Sequence, residues 1–347
     1  MQKVAIFLDY YYVGGIENVI SNIYNNLKDI YNINILSFVS KDNSVKGLLK
    51  GNYSSFGLRN ILGLIKLRKH FKNNKYDIIH INCYNAFGLI YAYMSRKYVK
   101  KVIVHAHNSN VDNDFLKIKS FINYLIKLIF NSNKYIYIGV SDEACNFCFM
   151  NKDYTLIPNS VDYEKFKENK KIRKYYRNKY NINDKIVIGH IGRFVEQKNH
   201  DFIINVFNEI CKIKDNYILV LVGEGKLYNK IMTKVKRLNL EDKVLYFKYR
   251  NDIDKFINMF DIYLFPSIYE GFGITLLENQ INDKEVFTSD NVPRVLNISN
   301  KIHFLSLKNN PKYWANEIIN YKNKKLILKK DLDIDNYIKK IKEIYNR

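Results

Sequence analysis

Short apolar runs of strand composition alternate with amphipathic helical patterns, and they do so twice along the chain. From residue 3 the sequence reads KVAIFL, GGIENVISNIYNNL, NINILSF, ILGLIKLRKHF, DIIHI and KVIVHAH, and KYIYIGV and YTLIP carry the rhythm to about residue 158. Strands that recur with a helix between them predict a parallel sheet covered by helices. The stretch PNSVDYEKFKENKKIRKYYRNKYNINDK breaks the rhythm. It is polar and charged, opens on Pro158-Asn159, and reads as a connection carrying one short helix. The alternation restarts at KIVIGHIGRF, with YILVLVGEG, KVLYFKY, DIYLFPS and EVFTS as later strands. The expected fold is therefore α/β: two successive doubly wound, Rossmann-like domains facing across a cleft. Residues 1–160 form the first domain and 161–330 the second. The tail, 331–347, contains the amphipathic YIKKIKEIYNR and is expected as a helix crossing back to the first domain. In such sheets ligands bind outside the carboxyl ends of the strands.

Length and composition agree with this. At 347 residues the chain exceeds what one core usually serves, and 47% apolar residues exclude wholesale disorder. The formal net charge is +22, with 20 Lys/Arg and 10 Asp/Glu in residues 1–160 and 36 and 24 in the remainder, so the excess is spread over both halves. A generally basic surface is one reading, and attraction to an anionic membrane or an anionic substrate is another. No nucleic-acid motif accompanies the charge, which speaks against nucleic-acid binding.

The four cysteines, Cys83, Cys145, Cys148 and Cys211, are too few for a disulfide framework. Cys145 and Cys148 form a lone C-x-x-C with no second pair to complete a zinc site, and they read as small apolar residues on one helix face. A strand begins at residue 3 where a secretory leader would need a charged and then an apolar region, and no apolar run approaches ~18 residues. The expectation is a cytoplasmic protein. NDFLKIKSFINYLIKLIFNSNKY places Phe115, Ile118, Ile122, Leu125 and Ile129 at helical spacing with Lys117, Lys119 and Lys127 between them. This is either a domain helix packed on its sheet or a peripheral contact with an anionic membrane.

Four stretches at strand ends carry chemistry. In FPSIYEGFGITLLENQ, Glu270 precedes Gly271-Phe272-Gly273 and Glu278 lies inside the helical run that follows. Small residues at a helix N-terminus let backbone N–H groups approach an anion, and the helix dipole favours phosphate there. The two carboxylates read as an acid/base couple, as two parts of a ligand clamp, or as a first-turn residue and a solvent-facing helix residue. In GHIGRFVEQKNHDFIINVF, a strand ends at Gly192 and is followed by Arg193 and Lys198, two cations able to converge on a diphosphate. In DYYYVGGIENVI, Gly14-Gly15 opens the first helix, although G-x-G-x-x-G is absent. In VIVHAHNSN, His105 and His107 share one face of a strand end. They read as structural histidines, as a polar contact to substrate or, lacking further ligands, less readily as a metal site.

Together these stretches resemble the retaining glycosyltransferases of family 4, with the two-domain GT-B fold, and in particular members of the capsular and exopolysaccharide type. Gly14-Gly15-x-Glu17, the His-x-His-Asn loop, IPNSVD, YRNDIDKFINMFDIYLFPS and the Arg193–Lys198 and Glu270–Glu278 stretches occur in the family's order over nearly the whole chain. The resemblance implies that Arg193 and Lys198 hold the donor diphosphate, Glu278 the ribose hydroxyls and Glu270 the donor sugar. The backbone of Gly271, Phe272, Gly273 and Ile274 caps phosphate. Tyr249 and Arg250 lie near the nucleobase, His107 rather than His105 contacts donor sugar or acceptor, and Gly15 borders the reaction centre. His107, Arg193, Lys198 and Glu270 are then the catalytic set, without metal or other cofactor. The implied reaction moves a sugar, with retention, from a nucleotide-sugar, a UDP-sugar by resemblance, to a glycan or lipid-linked acceptor of a surface polysaccharide. A non-catalytic sugar-nucleotide binder of the same fold is the alternative. The chain departs from the family pattern at Asn279–Glu285, at SDNVPRVLNISNK and at Ser160, which stands where the family has Gly.

Overall fold

The computed structural model describes residues 1–11, 15–40, 45–48, 58–108, 116–150, 153–270 and 272–347, apart from the side chains of 58–61, 116 and 117. The chain divides into two compact units, residues 1–160 with 334–347 and residues 161–333. Gly14, Gly271 and Phe115 lie outside the described residues.

The first unit contains β1 (Lys3–Tyr11), α1 (Gly15–Leu27), β2 (Asn32–Ser40), β3 (Lys46–Gly47), α2 (Leu58–Asn73), β4 (Tyr76–Cys83), α3 (Phe87–Ser95), β5 (Val99–Ala106), α4 (Leu116–Phe130), β6 (Ile136–Gly139), α5 (Asp142–Cys148) and β7 (Thr155–Leu156). Its parallel sheet has the order β3-β2-β1-β4-β5-β6-β7. β1 sits near the centre with Val4 to Leu8 fully buried, as a parallel strand covered on both faces requires. Phe7, Phe38 and Tyr91 pack edge-on with centroids 5.1–5.4 Å apart and join β1 and β2 to α3 on one side of the sheet. Cys145 and Cys148 are both buried, and Ser141 caps α5 by accepting from Ala144 N.

The second unit contains α6 (Tyr163–Phe166), α7 (Lys170–Lys179), β8 (Ile186–Ile191), α8 (His200–Ile213), β9 (Tyr217–Val222), α9 (Tyr228–Arg237), β10 (Val244–Phe247), α10 (Ile253–Phe256), β11 (Ile262–Phe265), α11 (Ile274–Ile281), β12 (Glu285–Ser289), β13 (Ile302–Leu305) and α12 (Pro311–Asn320). Its strands run parallel in the order β10-β9-β8-β11-β12-β13. The connection read as one short helix holds two. Asp162 caps α6 from its side chain and Asn169 caps α7, accepting from Lys171 N and Ile172 N. Asp261 accepts from Arg173, from Arg177 at 3.0 Å and from Val187 N at 2.7 Å, which fixes α7 to the starts of β8 and β11. β13 and α12 lie beyond the last strand read from the sequence.

The C-terminal helix α13 (Ile334–Asn346) packs on the first unit. Tyr345 lies edge-on to Tyr31, its hydroxyl is 2.9 Å from His80 Nδ1, and Lys101 Nζ donates to its carbonyl at 2.7 Å.

Candidate functional site

In each sheet the strand order reverses at one place, between β1 and β4 in the first unit and between β8 and β11 in the second. A crevice at the carboxyl ends of the strands opens at such a point. The sequence-predicted residues fall on these two edges, most of them in the second unit.

β8 ends at Ile191, and Gly192-Arg193 leads to a one-turn helix, Glu196–Lys198. β11 ends at Phe265 and the chain runs through Glu270 to α11. The two loops are laced together. Ile268 N donates to Gln197 O at 2.9 Å, Gln197 Nε2 to Tyr269 O at 3.0 Å and Asn199 Nδ2 to Pro266 O at 3.1 Å. Lys198 Nζ reaches Glu270 Oε1 at 2.6 Å and stands 4.7 Å above the Phe265 ring. Arg193 is exposed beside this pair, and among the described residues no carboxylate pairs with it.

Glycine makes this close lacing feasible. A Cβ on Gly192 would lie 2.9 Å from His190 Nε2 and 3.2 Å from Lys198 Cγ, so the lysine stem runs where a side chain would stand. Gly273 caps α11 at φ 97°, in the region only glycine enters freely. Tyr263 ties the helix to the strands, 2.8 Å from Thr275 Oγ1 and donating to Ile191 O at 3.2 Å.

Glu278 is buried on α11, so the reading of it as a solvent-facing helix residue is corrected. Among the described residues no hydrogen bond reaches its carboxylate. Burial raises its pKa to about 7, against a smaller pull from Lys165. A buried carboxylate without donors suits a ligand that brings hydroxyls to it.

Tyr249 and Arg250 follow β10, the edge strand two places from β8. Tyr249 is 52% exposed. Arg250 forks onto Asp252 at 2.8 and 2.7 Å and stacks on Phe256 at 4.1 Å, and Asp252 is held down to about 2, chiefly by that guanidinium. The guanidinium therefore braces its own loop.

In the first unit, Gly15 starts α1 and His107 follows β5. His105 is fully buried, with Nδ1 3.1 Å from His80 Nε2. The His107 ring centroid lies 4.0 Å from that of His105 with the planes tilted by 37°, and its Nε2 lies 2.9 Å from Asn82 Oδ1. Burial, then the neighbouring His80, lowers His107 to about 3, so its ring is neutral at physiological pH. Asp9, near the end of β1, is raised to about 7, mainly by burial.

Three features escaped the sequence reading: Asp9, the buried pair His190 and His200 behind Lys198, and the Gly223-x-Gly225 turn after β9. That turn lies against the Arg193 loop, with Gly192 N donating to Val222 O and Phe194 N to Glu224 O, both at 2.9 Å. Its signal was present as a G-x-G at a strand end.

Two Rossmann-like units, the second with cations and glycines at its strand ends, define a two-domain α/β architecture suited to an anionic ligand. Comparison with known proteins makes the class specific. Residues 13–165 match the family model Glycosyltransferase Family 4, and residues 172–341 match Glycosyl transferases group 1. EpsF of Bacillus subtilis (strain 168), which is named as a glycosyltransferase, is 25% identical over 328 residues, covering 88% of this chain and 84% of its own. The UDP-Gal:alpha-D-GlcNAc-diphosphoundecaprenol alpha-1,3-galactosyltransferase of Escherichia coli is 27% identical over 252 residues, 64% of this chain and 60% of that one. The crystal structure of Anabaena Alr3699/HepE in complex with UDP and glucose covers both chains completely at a TM-score of 0.80 and 16% identity. The fold is GT-B, and the chain belongs to the family 4 glycosyltransferases.

Proposed function

We propose that this glycosyltransferase moves a sugar from a UDP-sugar, with retention and without a metal, to a glycan or lipid-linked acceptor in surface-polysaccharide biosynthesis. The observation that carries the reading is the Lys198–Glu270 pair beside the exposed Arg193 at the N-terminal end of α11. The relative that uses UDP-Gal and a diphosphoundecaprenol acceptor, and the fold neighbour complexed with UDP, support the donor and acceptor classes.

Arg193 offers a planar fork and Lys198 a point charge, and the first amides of α11 add a third donor set. These groups replace the charge a metal would supply to a departing diphosphate. Glu278 takes the ribose hydroxyls and Glu270 the sugar. On the front-face route, the bond from the anomeric carbon to the β-phosphate oxygen breaks as the acceptor oxygen bonds on the same face. The acceptor proton passes to the departing phosphate oxygen, leaving UDP and the glycoside. Neutral His107 serves as a hydrogen-bonding contact to sugar or acceptor.

The test is UDP release and glycoside formation across UDP-sugars, with the product anomer read by NMR. Arg193→Ala should lower turnover by at least ~10²-fold with the fold intact. Inversion at the anomeric carbon sinks the retaining route. Near-normal turnover by Arg193→Ala sinks the site, and UDP binding without turnover by the wild type points to the non-catalytic binder.

A further inference from the structure

We propose that the α2–α4 side of the first unit is a docking surface for an anionic lipid bilayer. The inference stands apart from the glycosyl-transfer reading, since vesicle binding requires no turnover.

The first observation is that α4 leaves much of its apolar surface uncovered. Its inward face holds Ile126 and the polar Asn123, which accepts from Ala86 N at 2.8 Å and donates to Phe147 O at 2.9 Å. Other large apolar residues point away: Phe121 is 61% exposed and Ile129 67%, with Ile118 and Leu128 beside them. The helical seam expected from the sequence is corrected accordingly. Ile122 and Leu125 are half-buried, and Lys127 turns inward to donate to Asn146 O at 2.9 Å. A helix that hides its amide and presents aliphatic and aromatic side chains calls for an apolar or interfacial medium.

The second observation is the charge around that face. The β1, β2 and α3 rings meet on the same side, Gly63 of α2 faces the Phe38 ring, and α3 packs against both α2 and α4. These three helices contain no Asp or Glu. Residues 43–141 hold 16 Lys/Arg against Asp77, Asp112 and Asp114, so the charge evenly divided between the halves is concentrated within the first. On α2, Leu62, Ile65, Lys66 and Lys69 follow i, i+3, i+4, i+7 spacing and are all exposed. On α3, Tyr93 is exposed under the Arg96 guanidinium, 4.1 Å from its centroid. Acidic residues reappear on the helices of the opposite side, Glu17 on α1 and Asp335 and Glu343 on α13, whose Tyr345 meets His80 there.

Charge complementarity selects the occupant. A second copy meeting this face through a two-fold axis would set the same lysine stripe against itself. An anionic bilayer accepts the apolar side chains at its headgroup boundary and attracts the lysines. No helix among the described residues is long and apolar enough to cross a membrane, so the contact is one of resting on the surface.

The experiment is flotation of the full chain with vesicles of phosphatidylcholine plus phosphatidylglycerol, against phosphatidylcholine alone. The wild type should float with the anionic vesicles and be released by salt. Lys66→Ala/Lys69→Ala should weaken partitioning roughly thirtyfold, and Phe121→Ser/Ile129→Ser should abolish it. Ile327→Ser, which removes an equally exposed apolar residue from the second unit, should float normally. All five positions are exposed, and unchanged urea midpoints confirm folding. No flotation with anionic vesicles, equal flotation with neutral ones, or normal flotation of both double variants overturns the proposal. So does a wild-type dimer that Phe121→Ser/Ile129→Ser dissociates while flotation persists.

Discussion

Lys198 Nζ lies 2.6 Å from Glu270 Oε1, across 72 residues of sequence, and both side chains are largely withdrawn from solvent. The lysine proposed to hold the donor diphosphate therefore has a resident carboxylate partner. On that proposal phosphate competes for the ammonium, and Glu270 turns toward a sugar hydroxyl when it does.

The pair predicts opposite effects on binding and turnover. Glu270→Gln frees Lys198, so UDP should bind several-fold tighter by calorimetry while sugar transfer falls. Lys198→Ala should lower turnover by ~10²-fold or more. It also takes the ammonium away from a buried carboxylate and should lower stability. If Glu270→Gln weakens UDP as much as Lys198→Ala does, the competition is absent.

Glu278 predicts a pH dependence. Its carboxyl is raised from 4.5 to about 7 by burial, so between these values the folded chain holds a proton that the unfolded chain has lost. Stability should fall as pH rises through that window and level off above about 7, by on the order of 3 kcal/mol from this group. Asp9, also raised to about 7, acts with the same sign, so the informative quantity is the difference between wild type and Glu278→Gln. Denaturant midpoints from pH 5 to 8 should fall less steeply in the variant. UDP affinity should rise toward pH 7 in the wild type, as the carboxylate proposed to accept ribose hydroxyls forms, and stay flat in Glu278→Gln. A variant with the wild-type pH slope in both measurements removes Glu278 from that role.

Gly192 predicts a displacement. An added methyl would meet Lys198 Cγ at 3.2 Å and His190 Nε2 at 2.9 Å, and the histidine is fixed by its 2.8 Å contact to Leu264 O. The lysine must move. Gly192→Ala should fold, lose about 1–3 kcal/mol, and lose turnover by tenfold or more, with a larger change in kcat than in UDP affinity. Wild-type kcat would show that the lysine position tolerates the shift.

The parallel sheets were legible because each central strand is a short apolar run and each crossover helix has its own period. What escaped has identifiable causes. β3 is two residues long, and IHFL of β13 is a four-residue edge strand of three half-buried residues, interrupted by His303, so neither gives a continuous apolar run. The capping residues Asp162 and Asn169 did mark the two helices of the connection, but the charge around them masked the period. At the candidate site, Arg193, Lys198 and Glu270 were visible in loops after strands, and Glu278 in the helical run that follows one of them. The pairing of Lys198 with Glu270, and the hidden face of α4, depend on contacts between distant segments that no local spacing records.

The C-terminal helix supplies the last prediction. Tyr345 is buried, and its hydroxyl meets His80, whose other ring nitrogen meets His105, whose ring in turn packs at a tilt on His107. Burial holds His80 to about 3, so the ring stays neutral and one of its nitrogens needs a donor or acceptor that water cannot supply. Tyr345→Phe keeps the ring that packs on Tyr31 and removes only the hydroxyl. It leaves His80 Nδ1 buried and unpaired, at an expected loss of about 1–3 kcal/mol in urea unfolding. The coupling is read from the double variant Tyr345→Phe/His80→Leu: His80→Leu alone already costs the buried His105 Nδ1 its partner, but once His80 is gone the loss of the hydroxyl should cost less than it does in the wild type. A double variant less stable than the sum of the two single changes would mean that the hydroxyl is satisfied elsewhere and that the histidine chain does not anchor the helix.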